Sequence, residues 1–407
     1  MERVLKIAVI GFGTRVSWMV KLMREFDPAV KLVAVADPNA QGVTKCAHEI
    51  GIEEPVRIFG NADELLENAA DFDGVMIGTR CSLHTTMALK VAPTKLPLFL
   101  EKPVALNLAE WEQLRSAYAG RENSVVVSFP LRLSPHVQKC IEIINSGRVG
   151  TINQIQAVNN VPYGGVYYGQ WYRDYNETGG LWLQKATHDF DYINQLMMAN
   201  PTLVMAMHSR KIYGGSMPAD LRCSQCDLTE TCKESPRNLT ARGDDGGMMN
   251  TDHPTAEMDH ACAFSSSIKN QDAGSAIILY DNGAHANYVQ NFVPRRSAGK
   301  RGATIIGYNA TLSFDWQSGG VRVIDHHRDN VEDFAVSAQG QHGGGDHELA
   351  KNFIDLLRGR DVSKSNLSDG LLSAAMCLAA RESATKKTAQ AVRGAVHHHS
   401  NCDIEPV

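Results

Sequence analysis

No apolar run in the 407 residues approaches the roughly 18 that a membrane-spanning helix requires, so a membrane partner is not expected. Basic charge is not in excess either. Forty Lys and Arg stand against 45 Asp and Glu, a formal net charge of −5. A nucleic-acid partner, which asks for a basic face, is therefore not expected. Met1-Glu2-Arg3-Val4 leads straight into an apolar stretch and leaves no room for a signal peptide, so the expected location is cytoplasmic. Nine cysteines are an odd number, and without an export signal they do not suggest a disulfide framework. The run His397-His398-His399 carries no functional weight.

What is present is a soluble, globular composition, 43% hydrophobic and 21% charged, in a chain too long for one ordinary core. The first part alternates short apolar runs with amphipathic stretches, the mark of βαβ units. Strands are expected at Leu5 to Ile10, Leu32 to Ala36, Val56 to Phe59, Gly74 to Ile77, Leu98 to Leu100 and Val125 to Phe129. Helices are expected from Val16 to Phe26 and near residues 61–69, 84–92 and 107–119. In the last of these Asn107 and Glu110 have capping-box spacing. The fold class is α/β: an N-terminal doubly wound parallel sheet over residues 1–124, then a second α/β domain over 125–407 with an open, mostly antiparallel sheet. In that second part Ser134-Pro135 caps a helix that ends at Gly147. Strand-like segments follow at Ile152 to Val161, Leu203 to Ser209, Ala276 to Tyr280 and Ala284 to Asn291. Asp281-Asn282-Gly283 is a hairpin signal between the last two. Late helices are expected at Glu348 to Leu357 and Gly370 to Lys386. Residues 214–262 lack periodicity and read as a long, cysteine-containing loop.

The first strand runs into Gly11-Phe12-Gly13-Thr14-Arg15-Val16 and then a helix, the setting of a dinucleotide fingerprint. Gly11 allows the tight turn, and Gly13 lets the backbone approach a pyrophosphate at the helix N-terminus. Val16 fills the third glycine position, so the fingerprint is incomplete. Asp37 ends the second strand, where a carboxylate accepts hydrogen bonds from ribose hydroxyls and repels a 2′-phosphate. NAD is thus favoured over NADP. Arg15 keeps NADP open, since a guanidinium can pair with that phosphate.

Several further motifs, in order, resemble the Gfo/Idh/MocA family (glucose–fructose oxidoreductase, inositol dehydrogenase, rhizopine catabolism). They are Gly11-Phe12-Gly13 with Asp37, Ile77-Gly78-Thr79 with His84, Glu101-Lys102-Pro103, and Gly179-Gly180-Leu181 with Thr187-His188-Asp189-Phe190-Asp191. Tyr288-Val289-Gln290, Ile305-Ile306-Gly307 and His342-Gly343-Gly344-Gly345-Asp346 complete the set, which spans nearly the whole chain. The resemblance implies a Rossmann domain followed by an α/β domain whose open sheet builds homo-oligomer contacts. It implies NAD contacts from Gly11, Gly13, Thr14, Arg15, Asp37, Thr79, His84, Glu101 and Lys102, with a cis bond before Pro103. It places Lys102 beside nicotinamide and substrate, and makes His188 the second domain's proton acceptor.

The chemistry agrees with that placement. Hydride loss from carbon requires the attached hydroxyl to lose its proton, which a histidine accepts near neutral pH while a lysine stabilises the alkoxide. One turn before His188 the family often has a supporting aspartate, where this chain has Gln184. An amide bonds an imidazole or a substrate hydroxyl but does not stabilise an imidazolium. Arg80 stands where the family often has proline. Tyr163, Trp171, Arg173, Asn176 and Gln290 are candidate contacts for a carbohydrate-like substrate, with Arg295 and His342 as further candidates. The expected activity is an NAD-dependent sugar or cyclitol dehydrogenase. Two alternatives stay open: an NAD-dependent glycosidase that oxidises transiently and then eliminates, and a non-catalytic NAD-binding sensor.

Cys223-x2-Cys226-x5-Cys232 lacks one ligand for a tetrahedral site. Cys262 is the best fourth thiolate, with His253 and His260 behind it. Four thiolates would make a structural zinc site; an iron–sulfur cluster uses the same ligands, and plain thiols are the remaining reading.

Overall fold

A computed structural model describes residues 3–241, 260–317, 319–337 and 341–394, so His253 and the terminal histidine run lie outside the described residues. The chain forms two compact units. One comprises Met1–Leu133, Glu177–Gly179 and Gly340–Ala374; the other comprises Ser134–Asn176, Gly180–Gln339 and Ala375–Val407.

In the first unit six strands, β1 (Leu5–Ile10), β2 (Val30–Ala36), β3 (Arg57–Phe59), β4 (Gly74–Ile77), β5 (Leu98–Leu100) and β6 (Val125–Val127), form a sheet in the order β3-β2-β1-β4-β5-β6. Every neighbouring pair is parallel. This is the doubly wound order, in which order reverses between β1 and β4 and opens a crevice at their carboxyl ends. Strands β4, β5 and β6 are buried at every residue, as their unbroken apolar runs require once helices cover both faces. The capping box at Asn107 is present: its Oδ1 accepts from Glu110 N at 3.0 Å, and Glu110 Oε2 accepts from Leu106 N at 2.7 Å. A helix at Ala40–Glu49 was not expected. It buries only Val43 and Ala47 and holds Gly42 and Thr44, so its apolar stripe is faint, although Asn39 caps it. The late helix Gly345–Leu357 packs into this unit's core, where Phe353 meets Phe99 edge-on with centroids 5.6 Å apart.

Among the described residues the second unit builds a nine-stranded sheet. Its members are β7 (Ile152–Asn160), β8 (Pro201–Ser209), β9 (Ala273–Tyr280), β10 (His285–Asn291), β11 (Lys300–Gly307), β12 (Ala310–Asp315), β13 (Val321–Asp325), β14 (Val331–Phe334) and β15 (Gln390–Ala391). The order is β14-β13-β12-β11-β7-β10-β9-β8-β15, with β7 and β10 parallel and the other pairs antiparallel. The β9–β10 hairpin turns at Asp281-Asn282-Gly283, where Gly283 takes φ +82°. Burial alternates along β9, β10 and β13, so one face is covered, in part by the helix Thr187–Met197 against β7. The other face carries exposed Met207, Ile277, Leu279 and Val289. Strands β11 to β14 were not expected, although β12 and β13 alternate cleanly.

Candidate functional site

The turn after β1 explains the incomplete fingerprint. Gly11 has φ +81°, and a Cβ there would lie 2.7 Å from the backbone nitrogen of Thr79, so both conformation and space demand glycine. A Cβ on Gly13, by contrast, would meet nothing closer than 3.9 Å. The first turn of Thr14–Phe26 is thus open on that side, and its N-cap, Gly13, has no side chain to cap it. Val16, in the third glycine position, is fully buried. The missing space is supplied across the turn by Gly78, where a Cβ would come within 2.1 Å of Val16 Cγ2. The small residue has moved from the helix to the loop just after β4.

Asp37 closes the turn. Its Oδ2 accepts from Phe12 N at 3.0 Å and its Oδ1 from Asn39 N at 2.9 Å. A bare glycine-built turn, a helix N-terminus capped by glycine and a carboxylate at the end of β2 suit a dinucleotide carrying a pyrophosphate and a free ribose diol.

Arg15 is engaged within its own unit. Its Nη1 and Nη2 donate to Asp346 at 2.8 and 2.7 Å, its Nε to Glu101 at 3.2 Å, and Nη2 also to Ser128 Oγ at 3.2 Å. Although burial opposes its charge, Asp346 and Glu101 keep it firmly protonated. His342 Nδ1 lies 3.1 Å from Asp346 Oδ2. Burial disfavours the Asp346 carboxylate, yet Arg15 and His342 hold its pKa well below the usual range. The chain thus ties the first turn, the Glu-Lys-Pro loop and the start of a late helix through one guanidinium.

The Lys102–Pro103 bond is cis. Beside it His84 is buried, with Nδ1 2.8 Å from Pro103 O and Nε2 3.1 Å from Thr79 O. Burial lowers its pKa, and each ring nitrogen faces one of the two carbonyls, the tautomer deciding which of them receives the N–H. His84 therefore braces the two loops that carry Thr79 and Lys102. Lys102 is half-buried and Glu101 buried.

In the second unit Gln184 and Lys185 lie in a π-helical turn, Trp182–Ala186, that runs directly into the helix carrying His188. All three side chains are buried. Of the substrate candidates, Tyr163 accepts a hydrogen bond from Lys185 Nζ at 2.5 Å. Gln290 is buried on β10, its Oε1 accepting from Tyr288 Oη at 3.3 Å. Trp171 stacks on Tyr172 with centroids 3.9 Å apart. Arg173 donates to Ser267 Oγ at 2.8 Å and to Ser265 Oγ. Asn176 N bonds Asp174 Oδ1 at 2.9 Å. Tyr163 and Gln290 thus share their surroundings with the residues around Asp189, whereas Trp171 and Arg173 serve the neighbouring loop. Lys185 was not among the residues singled out from the sequence, because nothing in its local pattern announces a π turn.

Cys223, Cys226, Cys232 and Cys262 line one small pocket together with Glu234. Backbone bonds from Cys223 N to His260 O and from Cys262 N to Leu221 O, both 2.8 Å, hold the fourth cysteine against the first. No described cysteine is in a disulfide. Burial raises the Cys262 thiol's pKa, and Cys226 and Cys232 push it the same way. The four converge on one place, yet among the described residues no three His, Cys, Asp or Glu side chains are drawn into a group that could hold a metal ion.

Comparison with known proteins gives this arrangement a class. Residues 5–129 match the oxidoreductase family NAD-binding Rossmann fold, and residues 141–392 match the oxidoreductase family C-terminal alpha/beta domain, the two halves of Gfo/Idh/MocA proteins. The chain belongs to the Gfo/Idh/MocA oxidoreductase family. It is 25% identical to the putative oxidoreductase YteT of Bacillus subtilis (strain 168), over 87% of this chain and 89% of that one. It is 28% identical to the scyllo-inositol 2-dehydrogenase (NAD(+)) of the same organism, over 50% of this chain and 57% of the relative. In fold it is similar to levoglucosan dehydrogenase in complex with NADH and levoglucosan: TM-score 0.73, 17% identity, 96% of this chain and 99% of that chain. Among the described residues no helix is long and apolar enough to cross a membrane.

Proposed function

We propose that this chain is an NAD-dependent dehydrogenase acting on a hydroxyl, or in reverse a ketone, of a sugar, cyclitol or sugar derivative. The carrying observation is the Gly11 turn, closed by the Asp37 carboxylate and opening a helix whose N-cap is the bare Gly13. Relatives named as inositol dehydrogenases support the substrate class. NAD is preferred over NADP because Asp37 repels a 2′-phosphate and Arg15 is already engaged by Asp346 and Glu101.

Residues 1–124 hold the cofactor and 125–407 the substrate. Gly11, Gly13, Thr14, Asp37 and Thr79 contact the dinucleotide, while Arg15 and His84 brace the loops that do so. Bound oxidised nicotinamide supplies the hydride acceptor. Lys102 stabilises the oxygen as it loses its proton, and His188 accepts that proton, with Gln184 bonding the imidazole or the hydroxyl. Tyr163 and Gln290 present hydroxyl and amide groups to the ring, with Trp171, Arg173 and Asn176 towards its edge. Gln184 in the carboxylate's place leaves room for one alternative: transient oxidation, elimination of a glycosidic leaving group and return of the hydride.

Absorbance of NADH after mixing the chain with NAD and a panel of sugars, cyclitols and glycosides tests both readings. Signal far beyond one equivalent of enzyme supports the dehydrogenase. A signal capped at one equivalent, with repeated aglycone release, supports the glycosidase. Lys102→Ala should abolish turnover while NAD binding persists; retained turnover would remove Lys102 from its role.

Two assembly features belong to the same proposal. The exposed apolar face of the second sheet pairs copies of this chain into a homo-oligomer. Cys223, Cys226, Cys232 and Cys262 take a structural zinc ion, because four thiols converge where a soft metal would close their coordination.

A further inference from the structure

Lys185 is a buried cation that the proposed chemistry leaves without a task. It is 6% exposed, and its Nζ lies 2.5 Å from Tyr163 Oη, 4.7 Å from the centroid of the Tyr163 ring and 5.9 Å from that of Tyr167. A second cation, Arg301 on β11, lies in the same cluster. It is held by Asp189, with Nε and Nη2 both 2.8 Å from Oδ1. The other oxygen of Asp189 accepts from Asn159 Nδ2 at 2.7 Å and from Tyr288 Oη at 2.8 Å. Asp189, fully buried, is thus matched to Arg301 and saturated with donors.

Asp189 is already engaged by Arg301 and by two neutral donors, so the hydrogen bond of the Lys185 ammonium goes to the Tyr163 phenol, with Tyr167, Tyr192 and Tyr288 in the same cluster. An unmatched ammonium away from water costs several kcal/mol. Loss of one proton from the Tyr163–Lys185 pair removes that cost. Of the two, Tyr163 is half-buried while Lys185 is enclosed, so the phenol is the end a solute reaches. Position agrees: Lys185 stands three residues before His188, in the π turn, a local geometry frequent at functional sites.

We propose that Tyr163 is a further proton-handling residue for the substrate hydroxyl, with Lys185 as the positioning residue that keeps its phenol ready to accept. The proposal rests on the dehydrogenase reading. In the oxidative direction the substrate O–H bond breaks and its proton joins the Tyr163 phenolate oxygen. The C–H electron pair leaves as hydride to oxidised nicotinamide, and the carbon–oxygen bond becomes a carbonyl. Tyr163 then returns its proton to solvent. It works beside His188, whose neighbour Gln184 cannot stabilise an imidazolium. Proton affinities lean the same way. Burial alone would raise the Tyr163 pKa, but Lys185 and Arg301 bring it below the ordinary phenol value. Burial lowers that of Lys185.

The test reads the phenol directly and separately from turnover. The full chain is titrated by tyrosinate ultraviolet absorbance as wild type, Tyr163→Phe, Lys185→Met and Lys185→Arg. One tyrosine should ionise below the ordinary value of about 10, vanish in Tyr163→Phe, move up in Lys185→Met and recover in Lys185→Arg. With a polyol that the wild type oxidises, Tyr163→Phe should lower kcat by about 10²–10⁴-fold and remove the acidic limb of its pH profile, NAD binding being unchanged. A titration with no early tyrosine overturns the pair. An early tyrosine whose removal leaves kcat and its pH limb intact overturns the catalytic role. A wild type that reduces NAD with no polyol overturns the dehydrogenase reading, and the role of Tyr163 with it, even where the early tyrosine is seen.

Discussion

Arg15 grips Asp346 with both terminal nitrogens, at 2.8 and 2.7 Å, joining the first helix of the chain to one that starts 331 residues later. Asp346 is fully buried and the Arg15 side chain 26% exposed. Removing the carboxylate leaves the guanidinium to Glu101 and Ser128. Asp346→Asn should therefore cost about 2–3 kcal/mol at neutral pH, read by urea unfolding. The sign of its pH dependence follows from the depressed folded-state pKa. The contribution is complete above the unfolded value, near 4, and disappears as pH falls through the folded one. The gap between wild type and variant should close as pH is lowered below about 4. A gap that stays constant would mean that the carboxylate's charge is not what stabilises.

Gly78 and Val16 should behave as one unit. A Cβ on Gly78 would come within 2.1 Å of Val16 Cγ2 and 2.9 Å of Gly11 O. Gly78→Ala is expected to destabilise by about 1–3 kcal/mol through overpacking and to weaken NAD binding by disturbing the turn. Val16→Ala should relieve part of that strain, so a double-mutant cycle should give a coupling of about 1 kcal/mol or more. Additive effects would show that the two positions do not share the space.

These two cases mark what the sequence made legible. Gly11, Asp37 and the glycine missing at Val16 were readable because they lie within one local motif. Compensation by Gly78 was not, since it depends on β4 lying beside β1. Arg15 was readable as a charge near a phosphate site, but its capture by Asp346 needs a contact between distant segments. The six parallel strands stood out as short, mostly apolar runs, with β4, β5 and β6 free of charge throughout. Strands β11 to β13 alternate in burial, wholly or in part, but carry Arg, Asp and Gly enough to pass for loop, and β14 is exposed along most of its length. The π turn at Trp182–Ala186 leaves no pattern in side-chain periodicity, and with it the meeting of Lys185 and Tyr163 stayed hidden.

The bare face of the second sheet predicts assembly. Ile277 is 53% exposed and Met207 67%, on neighbouring strands and the same side as Val289. A contiguous apolar patch of this kind on a lone subunit would be costly in water. Light scattering should give a mass that is a multiple of the single chain. Ile277→Lys should shift it towards that of one chain, because burying an unpaired ammonium in an apolar contact costs several kcal/mol. A wild type that elutes as one chain at all concentrations would sink the homo-oligomer.

The cysteine pocket makes the most separable prediction. Two backbone bonds of 2.8 Å set Cys262 against the Cys223 loop, and all four cysteines line the same small pocket. Gathering thiolates without a cation is unfavourable, since each charge raises the pKa of the next, as Cys226 and Cys232 do for Cys262. A divalent soft metal reverses that sign. Purified chain should retain about one zinc per subunit through dialysis, and Cys223→Ser/Cys226→Ser should lose it and unfold at lower temperature. Iron in place of zinc would colour the protein and be bleached by the same variant. Wild type that is metal-free, stably folded and matched in melting temperature by the double variant would leave the pocket as four ordinary thiols.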